Sequence, residues 1–452
     1  MLPRLKDIFL RRAYMIAYEM KLKNTLFSLI DEMEEHVQDF VYNPGKDCSR
    51  RRKMCFSDFI KFTLSMGAKS TNNELLQFFS FSGKVPTASA YTQQKAKIKP
   101  EAFKVLLDQF TNTLSQTKTY HDYKLIACDG SEINIHRGCK GDDTFIQSGD
   151  KNGYSLMHLS VFFDLLNGIY LDEIISTKRT MNERAECIEM IDRSPFNKVL
   201  LLADRGYENY NLFAHAEEKG WNYLIRVKDM DVSNGIVHGC YLNLDGEFDT
   251  QKDIIITRSD RNFVKEHKDV YKRITYWNRR FDYIELGDVK SEYPMTLRIV
   301  RIKIDEEHYE TLITNLDANE FPPGEIKKLY HLRWGVETSF RELKYYVGMI
   351  NFHAKKPDYI SQEIYAALLI YNFCKTVINH IPIPQKKHQK YQYRLNVSAA
   401  ISICRYFLFC GYVVDFPLEM LLQKYLTPIR LNRSFPRKVA DQKPVSLNYR
   451  LA

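Results

Sequence analysis

Two aspartates stand where a mixed α/β fold places its chemistry. Asp129 closes the apolar run YKLIACD, and Asp204 closes the apolar run KVLLLAD. Side chains at the carboxyl ends of neighbouring strands face the same crevice of such a sheet. Two carboxylates that converge there repel each other, and a divalent cation would relieve the repulsion. One aspartate after a strand is usually a turn residue, but two at equivalent strand ends favour a metal site.

The segment YHLRWGVETSFRELKYY (330–346) carries charge on a helix face that should be apolar in a core helix. At about 100° per residue, an arc of about 80° holds Tyr330, Arg333, Glu337, Arg341 and Lys344. Glu342 falls about 140° away from Glu337. A solvated stripe of i,i+4 ion pairs would explain the charges but not the tyrosine. A DNA phosphate beside a metal-bound carboxylate explains both, with Glu337 as the third metal ligand.

The elements that must position these residues occupy the centre of the chain. Between residues 123 and 228 the apolar patterns predict the order β-β-β-α-β-α-β. Asn167-Gly168 predicts the turn of a hairpin between the second and third strands. Three antiparallel strands followed by strands reached through helices predict an α/β fold, a mixed sheet with helices on both faces.

The rest of the chain divides around this core. Residues 116–228 form its first part, and short strand patterns in 229–323, among them RFDYIEL, predict a β-rich insertion. A core helix that carries Glu337 is predicted in 324–350. Helical patterns return in 351–452, which ends in a basic, proline-dotted tail.

Helical patterns also fill residues 1–115. Three short helices at 56–67, 71–79 and 88–99 suggest a DNA reader of the helix-turn-helix type. The last of them carries the candidate DNA contacts Gln93, Gln94, Lys95 and Lys97, because glutamine can read adenine edges and lysine can hold phosphates. An ordinary helical bundle with a solvated polar face fits the same pattern equally well.

Bulk properties limit the class of protein. The chain has 452 residues, a formal net charge of +9 and nine cysteines, none in a C-x2-C pair. The cysteine count and spacing argue against a disulfide framework and a zinc ribbon, and free thiols fit a reducing cytoplasm. No apolar run reaches membrane-spanning length, and the N-terminus shows no secretion signal. The positive charge weakly favours an acidic partner such as nucleic acid.

At this point the residues match a known family pattern. The sequence resembles bacterial cut-and-paste insertion-sequence transposases of the DDE type, in the group marked by Y-x2-R-x3-E-x6-K. Tyr330, Arg333, Glu337 and Lys344 match that signature at every position. The stretches CDGSEINI (128–135) and ADRGY (203–207) resemble the two aspartate motifs of the family. The resemblance covers most of the chain.

The resemblance implies a ribonuclease H-like core in which Asp129, Asp204 and Glu337 hold two Mg²⁺ ions, with Mn²⁺ as a substitute. Such enzymes cut DNA at the transposon ends and join these ends to target DNA by in-line phosphoryl transfer. Implied DNA contacts are Tyr330, Arg333, Lys344 and Arg341, with Arg205 as a further candidate. The implied partners are double-stranded DNA, both terminal inverted repeats and target, and a second protomer in a synaptic dimer. A bacterial, cytoplasmic, nucleoid-associated protein follows.

In relatives the β insertion supplies a tryptophan that stacks on a flipped base. Trp277 in ITYWNRRF is the candidate here, and stacking on an aromatic face would compensate for lost base stacking. A tryptophan packed in the sheet is the competing interpretation, and no motif fixes the position. Trp221 and Trp334 are interpreted as structural.

Two other functions stay open on the sequence alone. A domesticated transposase derivative would bind DNA without moving it, although the intact acidic triad argues against decay. A ribonuclease H-like structure-specific nuclease would need the triad but not the strand-gripping tyrosine and lysine, nor the N-terminal reader. Inverted repeats flanking the gene would distinguish a mobile element from the nuclease.

Overall fold

The computed structural model of the chain describes residues 3–50, 53–114, 116–138, 142–147, 153–177, 180–242, 244–274, 280–306, 308–383, 391–410 and 417–429. Within these ranges the α-helices are α1 (Pro3–Glu35), α2 (Phe56–Ser65), α3 (Thr71–Phe78), α4 (Ala88–Lys95), α5 (Glu101–Thr113), α6 (Glu183–Arg193), α7 (Tyr210–Glu218), α8 (Arg261–Glu266), α9 (Pro323–Leu332), α10 (Trp334–Glu342), α11 (Pro357–His380), α12 (Val397–Cys410) and α13 (Leu418–Leu422). None of these helices is long and apolar enough to cross a membrane.

The strands are β1 (Lys124–Ile135), β2 (Phe145–Ile146), β3 (Tyr154–Asp164), β4 (Ile169–Thr177), β5 (Val199–Ala203), β6 (Asn222–Val227), β7 (Phe248–Thr257), β8 (Tyr271–Arg273), β9 (Glu292–Lys303), β10 (Tyr309–Thr314), β11 (Gln392–Leu395) and β12 (Leu426–Ile429). Short 3₁₀ turns cover Val37–Phe40, Arg205–Tyr207 and His238–Cys240, and a π-helical turn covers Leu343–Val347. The small β11–β12 sheet lies in a region for which only helices were predicted.

Ten strands form one central sheet. Nine of them follow the order β2-β3-β1-β5-β6-β10-β9-β7-β8, and β4 also pairs with β3. Strands β1, β3 and β4 pair antiparallel, and β5 and β6 continue parallel to β1. Helices α6 and α7 connect β4 to β5 and β5 to β6. This arrangement confirms the predicted α/β fold with a mixed sheet. The hairpin between β3 and β4 turns at Gly168, which has a positive φ of 68°.

The β-rich insertion extends the central sheet. Strand β10 pairs antiparallel with β6, and β9, β7 and β8 add to it in turn. The predicted strand RFDYIEL is wrong, since residues 280–286 form turns. Arg298 on β9 anchors the insertion: it makes a bidentate pair with Asp249 on β7 and donates to the carbonyls of Leu316, Asp317 and Phe321. Those carbonyls lie in the loop that leads into α9.

The sheet buries a different set of helices on each face. Helices α6 and α7 pack with alternate residues of β1 and β5, such as Ile126 and Leu201, and with the insertion. On the opposite face, α9 covers Leu125 and Leu202. A large apolar cluster on that second face joins Ala127 to α10, α11, α12 and the N-terminal helices. The N-terminal region therefore has no separate core.

This shared core corrects two of the predicted DNA contacts on α4. Lys95 is buried, and its Nζ lies 2.5 Å from Glu363 on α11. Gln94 is also buried, and its amide donates to the Cys48 thiol. Lys95 is turned toward α11, and Gln94 is turned toward the loop that carries Cys48. Gln93 is exposed and Lys97 is half-buried, so both remain available.

The helix predicted over 324–350 is interrupted. Helix α9 ends at Leu332 and α10 begins at Trp334, with helical dihedral angles retained at Arg333. After Glu342 the helix widens into the π-helical turn, and this turn ends at Gly348, which has a φ of 99°. Because a π turn contains more residues than an α turn, the angular position predicted for Lys344 at about 100° per residue does not apply.

The buried Lys95–Glu363 pair gives a test of the shared core. Lys95→Met would leave Glu363 buried beside His353 without its main partner, so we expect the free energy of unfolding at pH 7 to fall by about 3–5 kcal/mol. Denaturant titration measures this change. The matched control is Lys61→Met, which breaks the more exposed Lys61–Asp31 pair and should cost less than about 1 kcal/mol.

The same pair also predicts a pH dependence. Lys95 is the main group that lowers the pKa of Glu363 from 4.5 to about 2. The ionised carboxylate therefore stabilises the fold above pH 4.5, and this stabilisation is lost as the pH falls from 4.5 toward 2. Lys95→Met should flatten that part of the stability–pH curve. An unchanged acid limb in the variant would contradict the assignment.

Candidate active site

The two candidate aspartates lie side by side at one level of the sheet. Cys128 on β1 pairs with Ala203 on β5 in parallel register, and Asp129 and Asp204 directly follow these partners. The prediction that Asp129 ends its strand is wrong, because β1 continues to Ile135 in pairing with β3. Asp129 instead marks the point where β1 loses its neighbour β5. The two carboxylates therefore converge where the parallel pairing stops.

Backbone amides hold both carboxylates in place. The Oδ1 atom of Asp129 accepts a hydrogen bond from the Gly130 amide at 2.9 Å. The Oδ1 atom of Asp204 accepts one from the Gly206 amide at 2.8 Å, and this bond caps the 3₁₀ turn that follows β5. Each aspartate thus has a defined orientation before any ligand binds.

Helix α10 brings Glu337 to the same face of the sheet. Asp129 shares its strand face with Leu125 and Ala127, and this is the face that α9 and α10 cover. The close approach is possible because position 335 is a glycine, where a Cβ would lie 2.9 Å from Leu165. The buried Ser339 hydroxyl is hydrogen-bonded to Tyr170 on β4 at 2.9 Å and fixes the rotation of α10.

Arg333 lies between the carboxylates. Its Nη2 atom is 3.0 Å from Oε1 of Glu337, and its Nη1 atom is 4.0 Å from Oδ2 of Asp129. The guanidinium is buried and also packs near the rings of Tyr330 and Trp334, at 5.6 and 5.3 Å. The break between α9 and α10 falls on this residue. Arg333 therefore supplies the positive charge that permits three acidic groups to share a crevice.

The positive charge of Arg333 only partly offsets the burial and mutual repulsion of the carboxylates. Burial raises the pKa of Asp129 from 3.8 to about 7, and repulsion from Asp204 and Glu337 adds to the rise. The Gly130 amide and Arg333 oppose it. A carboxyl group with such a pKa marks an excess of buried negative charge, as is common at functional sites. A cation bound at this crevice would lower that pKa.

The three carboxylates are suitable ligands for a hard divalent cation, but their oxygen atoms do not already surround a single metal position. Asp129, Asp204 and Glu337 offer only carboxylate oxygens, the ligands that Mg²⁺ prefers. In the described part of the chain, no three histidine, cysteine, aspartate or glutamate side chains form a ready-made metal cluster. Here the guanidinium of Arg333 is the positive neighbour of Asp129 and Glu337.

Comparison with known proteins identifies the family. The family model of the transposase DDE domain matches residues 120–373, a span that includes Asp129, Asp204 and Glu337. The chain belongs to the transposase DDE domain family. Members of this family generally use divalent metal ions.

The chain is also similar to one curated transposase and to one solved structure. Over 167 residues it is 26% identical to the transposase InsG for insertion sequence element IS4 of Escherichia coli (strain K12), covering 33% of this chain and 35% of the relative. The match thus spans about a third of that relative. A cryo-EM structure of the piggyBac transposase synaptic complex with hairpin DNA aligns with 81% of this chain and 76% of its own, at 13% identity and a TM-score of 0.43.

A glutamate and a histidine that the sequence analysis missed adjoin the DDE crevice. Glu183 begins α6, and its carboxylate lies 3.3 Å from Nε2 of His158 on β3. A Cβ at Gly130 would lie 2.6 Å from Glu183 and 2.5 Å from His158, so only glycine fits beside Asp129. The other oxygen of Glu183 faces Gly206. The glycine directly after Asp129 was the one sequence signal of this close packing.

The remaining signature residues are more buried than predicted. The Tyr330 ring is buried and its hydroxyl has no geometric hydrogen-bond partner among the described residues. Burial raises the pKa of Tyr330 to about 12, so the phenol stays protonated and can donate. Lys344 is half-buried, and its Nζ donates to the Ser131 hydroxyl at 2.7 Å and to the Glu132 carbonyl at 2.9 Å. It thereby holds β1 just beyond Asp129.

The other candidate contacts differ in exposure. Arg205 and Arg341 are exposed, as a DNA contact requires. Trp334 is 49% exposed beside Arg333, so its interpretation as a structural residue is wrong. Trp221 is buried and donates to the Phe196 carbonyl, as a structural residue should. Trp277 lies outside the described residues.

Glu342 is separate from the site, as its helical angle predicted. Its carboxylate accepts hydrogen bonds from the Tyr371 hydroxyl and from Lys375 on α11. Because Glu342 is buried in this pair, its substitution would affect stability as well as function.

The raised pKa of Asp129 yields a prediction for the metal-free protein. Because the folded pKa of about 7 exceeds the unfolded value of 3.8, ionising Asp129 costs the folded state stability as the pH rises from about 4 to 7. Asp129→Asn removes this cost. In EDTA the variant should gain stability relative to the wild type between pH 4 and pH 8, by on the order of 4 kcal/mol.

Thermal or denaturant unfolding at both pH values, without divalent ions, measures this gain. Added Mg²⁺ should then stabilise the wild type more than Asp129→Asn. A variant whose stability follows the wild type at every pH would show that Asp129 carries no excess charge.

Proposed function

We propose that this protein is a DNA transposase that cleaves DNA at transposon ends and joins them to target DNA, using divalent metal ions. The observation that carries the proposal is the convergence of Asp129 and Asp204 at one level of the sheet, with α10 holding Glu337 over the same face. Membership of the transposase DDE domain family supports it.

In the proposed mechanism each carboxylate has one task. Asp129, Asp204 and Glu337 would each hold divalent metal with their carboxylate oxygens. Bound metal would activate the attacking water or 3′-hydroxyl and stabilise the leaving oxygen in an in-line displacement. Asp129 must be ionised to take part, and its pKa of about 7 links metal binding to the release of a proton.

Arg333 would change partners during the reaction. With metal bound, Asp129 and Glu337 would no longer need the guanidinium as their counter-charge, and Arg333 could turn to a DNA phosphate through a charge-assisted hydrogen bond. The Tyr330 hydroxyl, which stays protonated, could donate to the same strand. The exposed Arg205 and Arg341 would hold phosphates at the rim of the crevice.

We further propose that the N-terminal helices contact the transposon end through a basic cavity beside α4. The cavity has a volume of about 1070 Å³ and lies among α2, α4 and the preceding loop. Its lining includes the basic residues Lys46, Arg50, Lys53, Lys84 and Lys97. Lys97 is the member of this set that the sequence analysis had selected. Synapsis of two ends would take a dimer of this chain.

Conservative substitution of the triad tests the catalytic proposal. Asp129→Asn, Asp204→Asn and Glu337→Gln each remove one ligand charge and keep the side-chain shape. We expect Mg²⁺-dependent strand cleavage to be abolished, while binding of end DNA largely survives because basic residues provide the phosphate contacts. A gel assay of cleavage and a binding titration in Ca²⁺ or EDTA measure the two properties separately.

The control is Glu325→Gln on α9, since Glu325 is a partly exposed glutamate paired with Lys328 at 3.6 Å. It should cleave nearly normally, whereas Glu342 is unsuitable because of its buried pair. Full cleavage by any triad variant would remove that residue from the catalytic list. Loss of cleavage in all variants, including Glu325→Gln, would point to a folding defect.

Lys344 can act on DNA or only on β1, and salt dependence distinguishes these roles. If Lys344 contacts a phosphate, Lys344→Ala should lower the slope of log affinity against log salt by about 0.9 on duplex DNA. If it only holds Ser131 and Glu132, the slope stays unchanged and cleavage falls because Asp129 is less well positioned. Unchanged slope together with unchanged cleavage would remove Lys344 from the site. A melting curve controls for folding.

A further inference from the structure

A strongly basic groove borders the catalytic crevice on the insertion side. Its volume is about 560 Å³, and its walls come from the start of α6 and α7, the loop that follows β6, and the segment from α8 to β8. The cationic residues that line it are Arg184, Lys228, Arg261, Lys265, Lys268, Lys272 and Arg273. The sequence analysis had selected none of them.

The positive charge of this groove is not neutralised by the protein. Over the whole chain 65 lysines and arginines face 56 acidic residues, but the groove has seven cations and a single carboxylate, Glu208. Glu208 is already held by the amides of Lys228 and Ile236. No groove cation forms an ion pair with a carboxylate in the described part of the chain. An ordinary solvated surface would mix the two signs.

Several of these cations are held in the groove by neutral partners. Lys272 is buried and donates to the carbonyls of Lys268 and Asp269, and burial lowers its pKa. The Nε atom of Arg273 donates to the Ser259 carbonyl. Such contacts position the side chains without pairing them with a carboxylate.

The groove also contains aromatic surface. Tyr241 is 50% exposed, and the Nζ atoms of Lys268 and Lys272 lie 4.6 and 5.5 Å from its ring centre. Tyr271 and Tyr210 line the same cavity. Cations that follow a backbone, combined with aromatic rings on which bases stack, are the features of single-strand binding sites.

Arg184 connects the groove to the site. Its Nε atom donates to the carbonyl of Gly206 at 2.7 Å, two residues after Asp204, and it follows Glu183 directly. A DNA strand that leaves the catalytic carboxylates on this side would enter the groove. Because Arg184 touches both regions, the groove is a continuation of the crevice.

We propose that this groove binds a single-stranded DNA segment adjoining the scissile phosphate, with the cations on its phosphates and Tyr241 stacked on a base. The inference rests on the proposed function and deepens it, since it assigns a path to one strand of the substrate. It also explains why the insertion extends the catalytic sheet: rigid attachment keeps the groove aligned with Asp129 and Asp204.

Binding of a fluorescein-labelled oligothymidylate to the full chain in EDTA tests the groove without cleavage. The variant is Arg261→Ala/Lys265→Ala/Lys268→Ala, and the control with equal charge loss is Lys290→Ala/Lys303→Ala/Lys328→Ala, at exposed positions outside the groove. The groove variant should lower the slope of log affinity against log salt by about 0.7 for each phosphate that is no longer neutralised, hence by about 2 for the three substitutions. The control should leave it nearly unchanged.

Substitutions of Tyr241 test the groove without changing its charge. Tyr241→Ala should weaken oligothymidylate binding by about fivefold or more, because the base loses its stacking surface, whereas Tyr241→Phe keeps the ring and should keep the affinity. A melting curve for each variant controls for folding. A defect shared by Tyr241→Phe and Tyr241→Ala would contradict stacking.

Three results would overturn the proposal. Equal weakening of binding in the groove and control variants would mean bulk charge only, and no weakening in either would mean a solvated patch. Weakening on a blunt duplex as large as on oligothymidylate would mean that the groove holds duplex DNA. Failure of the catalytic proposal looks different: triad variants would then cleave normally, while these binding results would be unaffected.

Discussion

The structure depends on the repulsion between carboxylates that the fold forces together. Parallel register between β1 and β5 places Asp129 and Asp204 at one level, and α10 adds Glu337 from above. Burial makes each charge more costly, which is why the pKa of Asp129 rises to about 7. In the absence of metal, the guanidinium of Arg333 is the positive charge beside Asp129 and Glu337. The arrangement is thus electrostatically unfavourable, and a bound divalent cation would reduce the repulsion between the carboxylates.

Much of the surrounding architecture serves to keep those groups from separating. Gly335 lets α10 approach the hairpin between β3 and β4, and Asn372 on α11 bonds the backbone of Tyr170 on β4 as well as Thr111 on α5. The N-terminal helices share this packing, so the sheet face beneath Asp129 is braced by both ends of the chain. A carboxylate that could swing into solvent would relieve the repulsion and lose its affinity for metal. Rigid packing prevents that relaxation.

The sequence predicted those features that depend on local pattern. Alternation, apolar runs and the Asn-Gly turn were enough to predict the order of core elements along the chain. The ends of two apolar runs selected Asp129 and Asp204, and the helix face with its signature spacing selected Glu337. Long-range contacts were not accessible. Lys95 resembles a solvent-facing lysine until Glu363, 268 residues away, is placed beside it. The constant angle per residue failed at Lys344 because the helix widens there, and Glu183 reaches the crevice only through the folding of α6 over β3.

The net charge of the chain alone does not show where a DNA-binding surface would lie. An excess of nine positive charges over 452 residues is slight, and the catalytic crevice itself is acidic. Its carboxylates would repel a phosphate backbone unless positive charge lay close by, since exposed charges farther apart than about 8–10 Å are largely screened at physiological salt. Positive charge is placed locally in the fold. Arg333 lies within the crevice, Lys344 on the π-helical turn contacts β1 at its edge, and seven cations lie beyond Gly206. Under the proposed function, a DNA strand would therefore be attracted beside the acidic crevice, and the carboxylates would stay available to bind metal.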